Sequence, residues 1–353
     1  MTTQTFISYI ALNKFTTMEQ RMNMTLKTFL LAFVLFSTNV FAAKSLTIYS
    51  VYPGDQLQAV FKPFTERTGI EIKVVSGKSK DLIKRIKEEG VNTEADLHLD
   101  KDLAYHTLAT NEGIYQPFNS KLVEKNVPAN FIETNKNWFT IFYRSRLIMY
   151  NKNTVSRSEL STYSQLASKK WQGRLCVRTS GSSYTQSLAA SVVAHNGEEK
   201  ALEIFKGWVR NLSMEVTSSD RDMIRAIAAG KCDVALVNSY YLVPFIEENP
   251  DYPVRPFFAN QGSSNAHVNG VGIGIVKHST KLKEATMLLE YLSSAEVQAP
   301  VANAFNQYPV NPKAQISAQL QDFGSFNVDS TNVGTIGNLI ESAKRLMKEA
   351  QYK

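Results

Sequence analysis

The sequence predicts an α/β protein of two lobes, joined by a hinge and separated by a central cleft. Three observations predict it. β-rich and amphipathic helical segments alternate from about residue 46 to the end of the chain, the order that builds sheets covered by helices. The alternation resumes after about residue 145 without any internal repeat, as expected for two sheets rather than one. The chain has 353 residues, 43% hydrophobic and 20% charged, which is an ordinary globular composition and enough for two medium domains.

The first lobe opens on a β-rich segment over 46–51, closed by a turn at Pro53-Gly54. Asp55 is placed to cap a helix that carries Leu57, Val60, Phe61 and Phe64 and ends at Gly69. Ile70, Ile72 and Val74 alternate as a half-buried strand. Ser79 is placed to cap a second helix with Leu82, Ile83 and Ile86, ending near Gly90, and a short strand follows over 95–99. This β-α-β-α-β order predicts a mostly parallel sheet. Later strands are expected over 146–150, 174–178 and 233–238. Helices are expected over 186–195 and 198–212, separated by Asn196-Gly197, over 220–230, and from a start within 239–248. The glycine-laced segment 270–276 reads as a strand. Its Gly-x-Gly is no nucleotide loop, because no helix start follows it. Amphipathic helices are expected over 282–292 and 338–351, the latter capped by Asn338 with Glu341 three residues on. The first lobe is assigned residues 43–145 plus about 259–310, and the second about 146–258 plus about 311–353. The hinge is placed near 146–150 and 254–259. Clefts between such lobes are where ligands bind.

The N-terminus carries its own signal. Lys27 precedes an apolar run from Phe29 to Phe36, and Val40 and Ala42 stand three and one residues before a cleavage point. That is a secretory signal peptide, with residues 1–23 as an upstream extension and export to the periplasm as the consequence. The run is too short to span a bilayer. The formal net charge is +7, but the basic residues are dispersed, so nucleic acid is excluded as the natural partner while anionic ligands are favoured. The two cysteines, Cys176 and Cys232, would lie in an oxidising compartment and are expected to form a bridge. Tyr184 and Tyr240 each follow one cysteine by eight residues, which points to neighbouring parallel strands in one lobe. The alternative is two buried thiols. No Gly-x-Ser-x-Gly, His-Glu-x-x-His or paired catalytic carboxylates occur, so no enzyme is expected.

Five stretches resemble periplasmic ferric-iron-binding proteins of ABC importers, a branch of the type II solute-binding proteins. They are IYSVYPGDQLQAVFKPFTERTGIEIKVVSGKSKDLIKRI, EADLHLDKDLAYHTL, RSRLIMYNKNTV, KKWQGRLCVRTSGSSYTQSLAAS and GKCDVALVNSYYLVPF. A sixth, LEYLSSAEVQAPVANAFNQYPVNP, resembles the lobe-closing helix and tail of the wider superfamily. The resemblance implies a type II periplasmic binding fold, Fe(III) as cargo, a monomer, and an inner-membrane permease and ATPase as partners.

Fe(III) is a hard cation that prefers anionic oxygen, and its charge lowers a phenol's pKa so that binding expels the proton. The resemblance carries the iron-ligand role to Tyr184, Tyr240 and Tyr241. Tyr240 and Tyr241 end an apolar strand. At a strand-to-helix turn they would lie about 100° apart and reach one cleft, with the helix N-terminus favouring their phenolate forms. The chain departs from the family in its first strand-helix loop, which lacks the usual histidine and offers only Tyr52. Asp100 and Asp102 are the nearest carboxylates, and His98 reads as a core or surface residue. Arg144 and Arg146 are candidates to hold a synergistic anion such as carbonate, or else to pair with carboxylates on the hinge strand. The alternative cargo is a small anionic organic solute or a metal chelate.

Overall fold

The structure is a computed structural model and describes residues 44–353; the expected signal peptide and upstream extension lie outside the described residues. In chain order the elements are β1 (Ser45–Ser50), α1 (Gly54–Thr68), β2 (Glu71–Ser76), α2 (Ser79–Glu89), β3 (Leu97–Asp100), α3 (Leu103–Asn111), β4 (Tyr115–Gln116), α4 (Lys121–Asn126) and β5 (Trp138–Asn151). There follow β6 (Leu175–Cys176), α5 (Ser183–Arg210), α6 (Asp220–Ala228), β7 (Val234–Asn238), α7 (Val243–Glu248), β8 (Val254–Phe257) and β9 (Val268–Val276). The chain closes with α8 (Leu282–Ser293), α9 (Ala295–Ala304), β10 (Tyr308–Pro309), α10 (Ala318–Gln321), α11 (Val333–Asn338) and α12 (Ile340–Glu349).

The strands run in the order β2-β1-β3-β9-β5-β7-β6. The β1/β2, β1/β3 and β6/β7 pairs are parallel. The sheet as a whole is mixed, not mostly parallel, because β9 returns antiparallel against both β3 and β5. The physical reason lies in β5, a single buried strand of 14 residues where the sequence predicted only a short one. Its first half pairs with β9 and its second half with β7 and β8. One strand therefore crosses from the first sheet to the second at Ser145–Arg146.

The cores follow the same division. One packs Leu46, Phe64, Trp138 and Ile273. A second packs Ile148, Trp171, Phe205 and Leu346, and a third, on the other face of β7, packs Met149, Ile224, Val237 and Phe258. The second passage of the chain lies between Ala266, in the third core, and Val268, in the first. Residues 254–259 do not cross, since β8 is paired to the second half of β5 and Ala259 belongs to the second core. His267 is the crossing residue, and its carbonyl accepts from Arg146 N at 3.1 Å and Ser145 Oγ at 3.0 Å.

The glycines of β9 answer to close approach. A Cβ at Gly272 would meet the His106 ring at 2.8 Å, and one at Gly270 would meet the Phe142 carbonyl at 2.7 Å. The helices expected on either side of Asn196-Gly197 are the two halves of α5, broken where Gly197 adopts φ 74°. Three caps differ from expectation. Pro53 occupies the N-cap of α1, so Asp55 sits in its first turn. Lys78 precedes α2, and Ser79 is buried at its first position. Asn338 ends α11, while α12 starts at Ile340, because a short extra helix intervenes. Cys176 and Cys232 form a disulfide with their Cα atoms 5.9 Å apart, made possible by the parallel β6/β7 register of Cys176 beside Ala235. No helix among the described residues is long and apolar enough to cross a membrane.

Candidate metal centre

The parallel β6 and β7 deliver two chain segments to the same sheet edge, beyond the carboxyl ends of the strands. After β6 a loop leads to Ser182, the N-cap of α5, and Tyr184 is the second residue of that helix. After β7 a single 3-10 turn, Ser239–Tyr241, carries the tyrosine pair. The result joins residues 56 apart: Tyr240 Oη donates to Tyr184 Oη at 3.4 Å. The Tyr240 and Tyr241 rings lie side by side, centroids 4.2 Å apart and planes 38° apart. All three are half-buried.

Tyr52, in the turn after β1, comes from the other lobe. Its ring leans on Phe305 at 5.8 Å, and its phenol feels the charges of Arg144 and Tyr184. Burial pushes the Tyr52 phenol up first of all, with Tyr184, Asp100 and Asp102 adding to the shift and Arg144 opposing it. Burial likewise pushes Tyr240 well above the ordinary phenol range, reinforced by Tyr184 and Tyr241. The expectation that a helix N-terminus would favour phenolate is therefore reversed at Tyr240 in the metal-free chain. The pair sits in a three-residue turn, α7 has only six residues, and desolvation dominates.

The two arginines divide. Arg146 is committed to a carboxylate: its Nη1 donates to Asp220 Oδ2 at 2.7 Å, with both groups buried, and its Nε makes no hydrogen bond. Arg144 is equally buried but only partly satisfied. Nη1 donates to the Lys101 carbonyl at 2.6 Å and Nη2 lies 3.7 Å from Asp102, yet Nε and Nη2 make no hydrogen bond. Its guanidinium stands 5.1 Å from the Tyr184 ring and interacts with Tyr240 and Tyr52. Arg144 is thus the cation around which the two lobes' tyrosines gather.

Two further arginines escaped the sequence reading. Arg178 stands over the Tyr184 ring at 5.1 Å and Arg221 over Tyr241 at 5.2 Å. A usable signal existed for Arg178, which shares the period-two face of Arg174 and Cys176 in β6 and its extension. Nothing local marked Arg221.

The carboxylates serve the scaffold. Asp102 caps α3 through Ala104 N at 3.0 Å and accepts from Asn269 Nδ2 at 3.1 Å. His98 is a core residue, its Nδ1 2.5 Å from Tyr115 Oη, which is also 2.7 Å from His106 Nδ1. Asp100 is fully buried, and burial pushes its carboxyl up to about 7, against the opposing hydrogen bond from Ser79 and with Asp102 adding to the rise. A carboxyl whose folded pKa exceeds its unfolded value near 3.9 stabilises the fold most below about pH 4. That contribution is lost as pH rises to about 7. Asp100→Asn is therefore expected to stabilise the metal-free protein more at pH 8 than at pH 5, by on the order of a few kcal/mol. The buried histidines shift the opposite way in both chains and cancel from the comparison. An equal change in unfolding midpoint at the two pH values would refute it.

Phenols and guanidiniums brought together at the strand ends of a two-lobed α/β fold fit a solute-binding protein. The comparisons agree: residues 59–326 match the family described as bacterial extracellular solute-binding protein, and the chain belongs to that family. It is 37% identical over 316 residues to iron uptake protein A1 of Synechocystis, covering 88% of each chain. It is 25% identical over 321 residues to the major ferric iron-binding protein of Neisseria meningitidis, covering 88% of this chain and 94% of that one. Among solved structures it is similar to Trichodesmium IdiA (FutA) in complex with iron and citrate. The TM-score is 0.84 and the identity 39%, over 88% of this chain and all of that one.

Proposed function

We propose that the protein binds ferric iron in the periplasm and delivers it to an inner-membrane ABC permease and its ATPase. Tyr184, Tyr240 and Tyr241 supply three phenolates from the second lobe, and Tyr52 supplies a fourth from the first. The observation that carries this is the convergence of Tyr240 and Tyr184 to 3.4 Å from two separate strand ends. The names of the relatives support the same cargo.

The chemistry fits a trivalent cation. Three phenolates neutralise Fe(III), and the fourth leaves one negative charge that faces Arg144. The free Nε and Nη2 of Arg144 are also the donors on which a small anion such as carbonate would rest. Arg146 is not available for this, being paired with Asp220. Burial holds the Tyr52 and Tyr240 phenols protonated, and any phenol that ligates as phenolate must release its proton on binding. Iron uptake is therefore expected to release three to four protons per metal and to weaken as pH falls. Proton counting in weakly buffered solution checks this: release of none would exclude phenolate ligation, and release of one would overturn the three-phenolate set.

The decisive test is to add ferric citrate, and separately a ferrous salt without oxygen, while recording the visible spectrum and metal content. A charge-transfer band with the ferric salt alone is the expected result. The guanidiniums of Arg144, Arg178 and Arg221 favour one variation, in which iron arrives as an anionic carboxylate chelate. Retention of citrate with the metal after desalting distinguishes it. An organic cargo without metal would give no colour at all.

The two lobes meet along β5 at Ser145–Arg146 and again at Ala266–Val268, and they close about these passages when iron joins Tyr52 to the other tyrosines. The periplasmic location requires the leader in residues 1–42 to direct export. The protein acts as a monomer, and small-angle scattering with and without iron reads both its mass and its compaction.

A further inference from the structure

We infer that Asp220 is a positioning residue for the tyrosine site, a role that rests on the ferric reading above. Asp220 is the first residue of α6 and is buried at 1% exposure. Three segments converge on its carboxylate. Arg146, where β5 crosses between the sheets, donates to Oδ2 at 2.7 Å. The backbone N–H of Asn238, the residue before the Ser239–Tyr241 turn, donates to Oδ2 at 3.5 Å. Arg178, on the approach to α5, places Nη1 3.5 Å from Oδ1.

Each of these leads to a phenol or to the hinge. Arg178 lies over the Tyr184 ring at 5.1 Å, so the position of that guanidinium sets one face of the site. Asn238 starts the turn that aims Tyr240 and Tyr241. Arg146 belongs to the strand that also carries Arg144, two residues earlier on the same face. One carboxylate thus registers both tyrosine segments of the second lobe against the crossing strand.

The arrangement is also unfinished in a way that points to function. Asp220 Oδ1 is buried and makes no hydrogen bond, and Arg178 Nε has no partner either. Arg178 is thus held between the Asp220 carboxylate and the face of the Tyr184 ring. Asp220 therefore fixes where that guanidinium stands and how the turn after Asn238 is set. A carboxylate that orients ligands from behind is typically worth 10–100-fold in metal affinity.

Asp220→Asn alone would leave Arg146 as an uncompensated buried charge, so the test pairs it with Arg146→Met, which removes both charges of the buried pair. Arg178→Gln, at a side chain 19% exposed, reads the Tyr184 arm while leaving the Arg146–Asp220 pair in place. Ferric affinity and the visible band are measured on each, beside the unfolding midpoint of the metal-free chain. In R146M/D220N, affinity is expected to fall by about 10- to 100-fold with a displaced band, while the metal-free midpoint stays near wild type. R178Q should shift the band in the same sense with a smaller loss. A purely structural role would move the midpoint and leave the band of the folded fraction where it was. Wild-type band and affinity in R178Q would overturn the inference, whether or not the double variant folds. If the wild-type chain itself shows no ferric band, the ferric reading fails and this inference with it.

Discussion

Replacing Tyr240 and Tyr241 together by phenylalanine is expected to weaken and displace the ferric band and lower iron affinity by about four orders of magnitude. Four-ligand structural zinc sites gain about 10–16 kcal/mol on binding, and on that scale each ligand carries about 3 kcal/mol, on the order of a hundredfold in affinity. Each Tyr→Phe change keeps the ring and removes only the donor oxygen, so packing volume is preserved. Folding should be unaffected or slightly improved at Tyr240, whose buried hydroxyl makes only the one 3.4 Å contact to Tyr184. Tyr184→Phe alone is expected to cost about a hundredfold, and Tyr52→Phe less, because water can take its place on the side of the other lobe. Tyr150→Phe serves as the control: that ring packs in the second core, on the same β5 but away from the phenol cluster, and the colour should survive. Unchanged affinity in the Tyr240→Phe, Tyr241→Phe variant would return the protein to the organic-solute alternative.

The second large effect concerns stability. Removing the Cys176–Cys232 bridge, by Cys176→Ser with Cys232→Ser, is expected to cost about 4 kcal/mol. The bridge closes a loop of 56 residues, and the loop-entropy model assigns that size of loop about this value. The sulfurs tie the end of β6 to the approach of β7, eight residues before Tyr184 and Tyr240, and neither sulfur is part of the phenol cluster, so the folded variant should still bind iron with its normal colour. Urea unfolding of both chains, oxidised and reduced, measures the difference. An unchanged midpoint would show that the second lobe does not depend on the bridge, and two free thiols in the unfolded, unreduced wild type would deny the bridge itself.

These expectations draw on two kinds of information. The alternation of strands and helices, the helix stops at Gly69 and Gly90, the break at Gly197 and the pairing of the cysteines were all legible in the chain. The helix features depend on a residue's own backbone freedom or on periodicity over a few neighbours, and the bridge on an even cysteine count in an oxidising compartment. The three second-lobe tyrosines were singled out by the family resemblance, while the equal spacing of Tyr184 and Tyr240 from the two cysteines pointed to neighbouring strands.

Tertiary structure decided what depends on partners distant in sequence. It made β5 one strand shared by two sheets, placed the second crossing at His267, and turned the sheet from parallel to mixed. None of these follows from local pattern, because strand direction is set by which neighbour a strand finds. Tertiary structure also separated Arg144 from Arg146: identical residues two apart, one committed to Asp220, 74 positions away, and one left with free donors among the phenols. It reversed the electrostatics of Tyr240, where a predicted helix-end stabilisation gave way to desolvation. Charge, burial and hydrogen-bond partners are properties of the assembled site, and the chain order that determines residue type and spacing does not by itself say which groups will be dry.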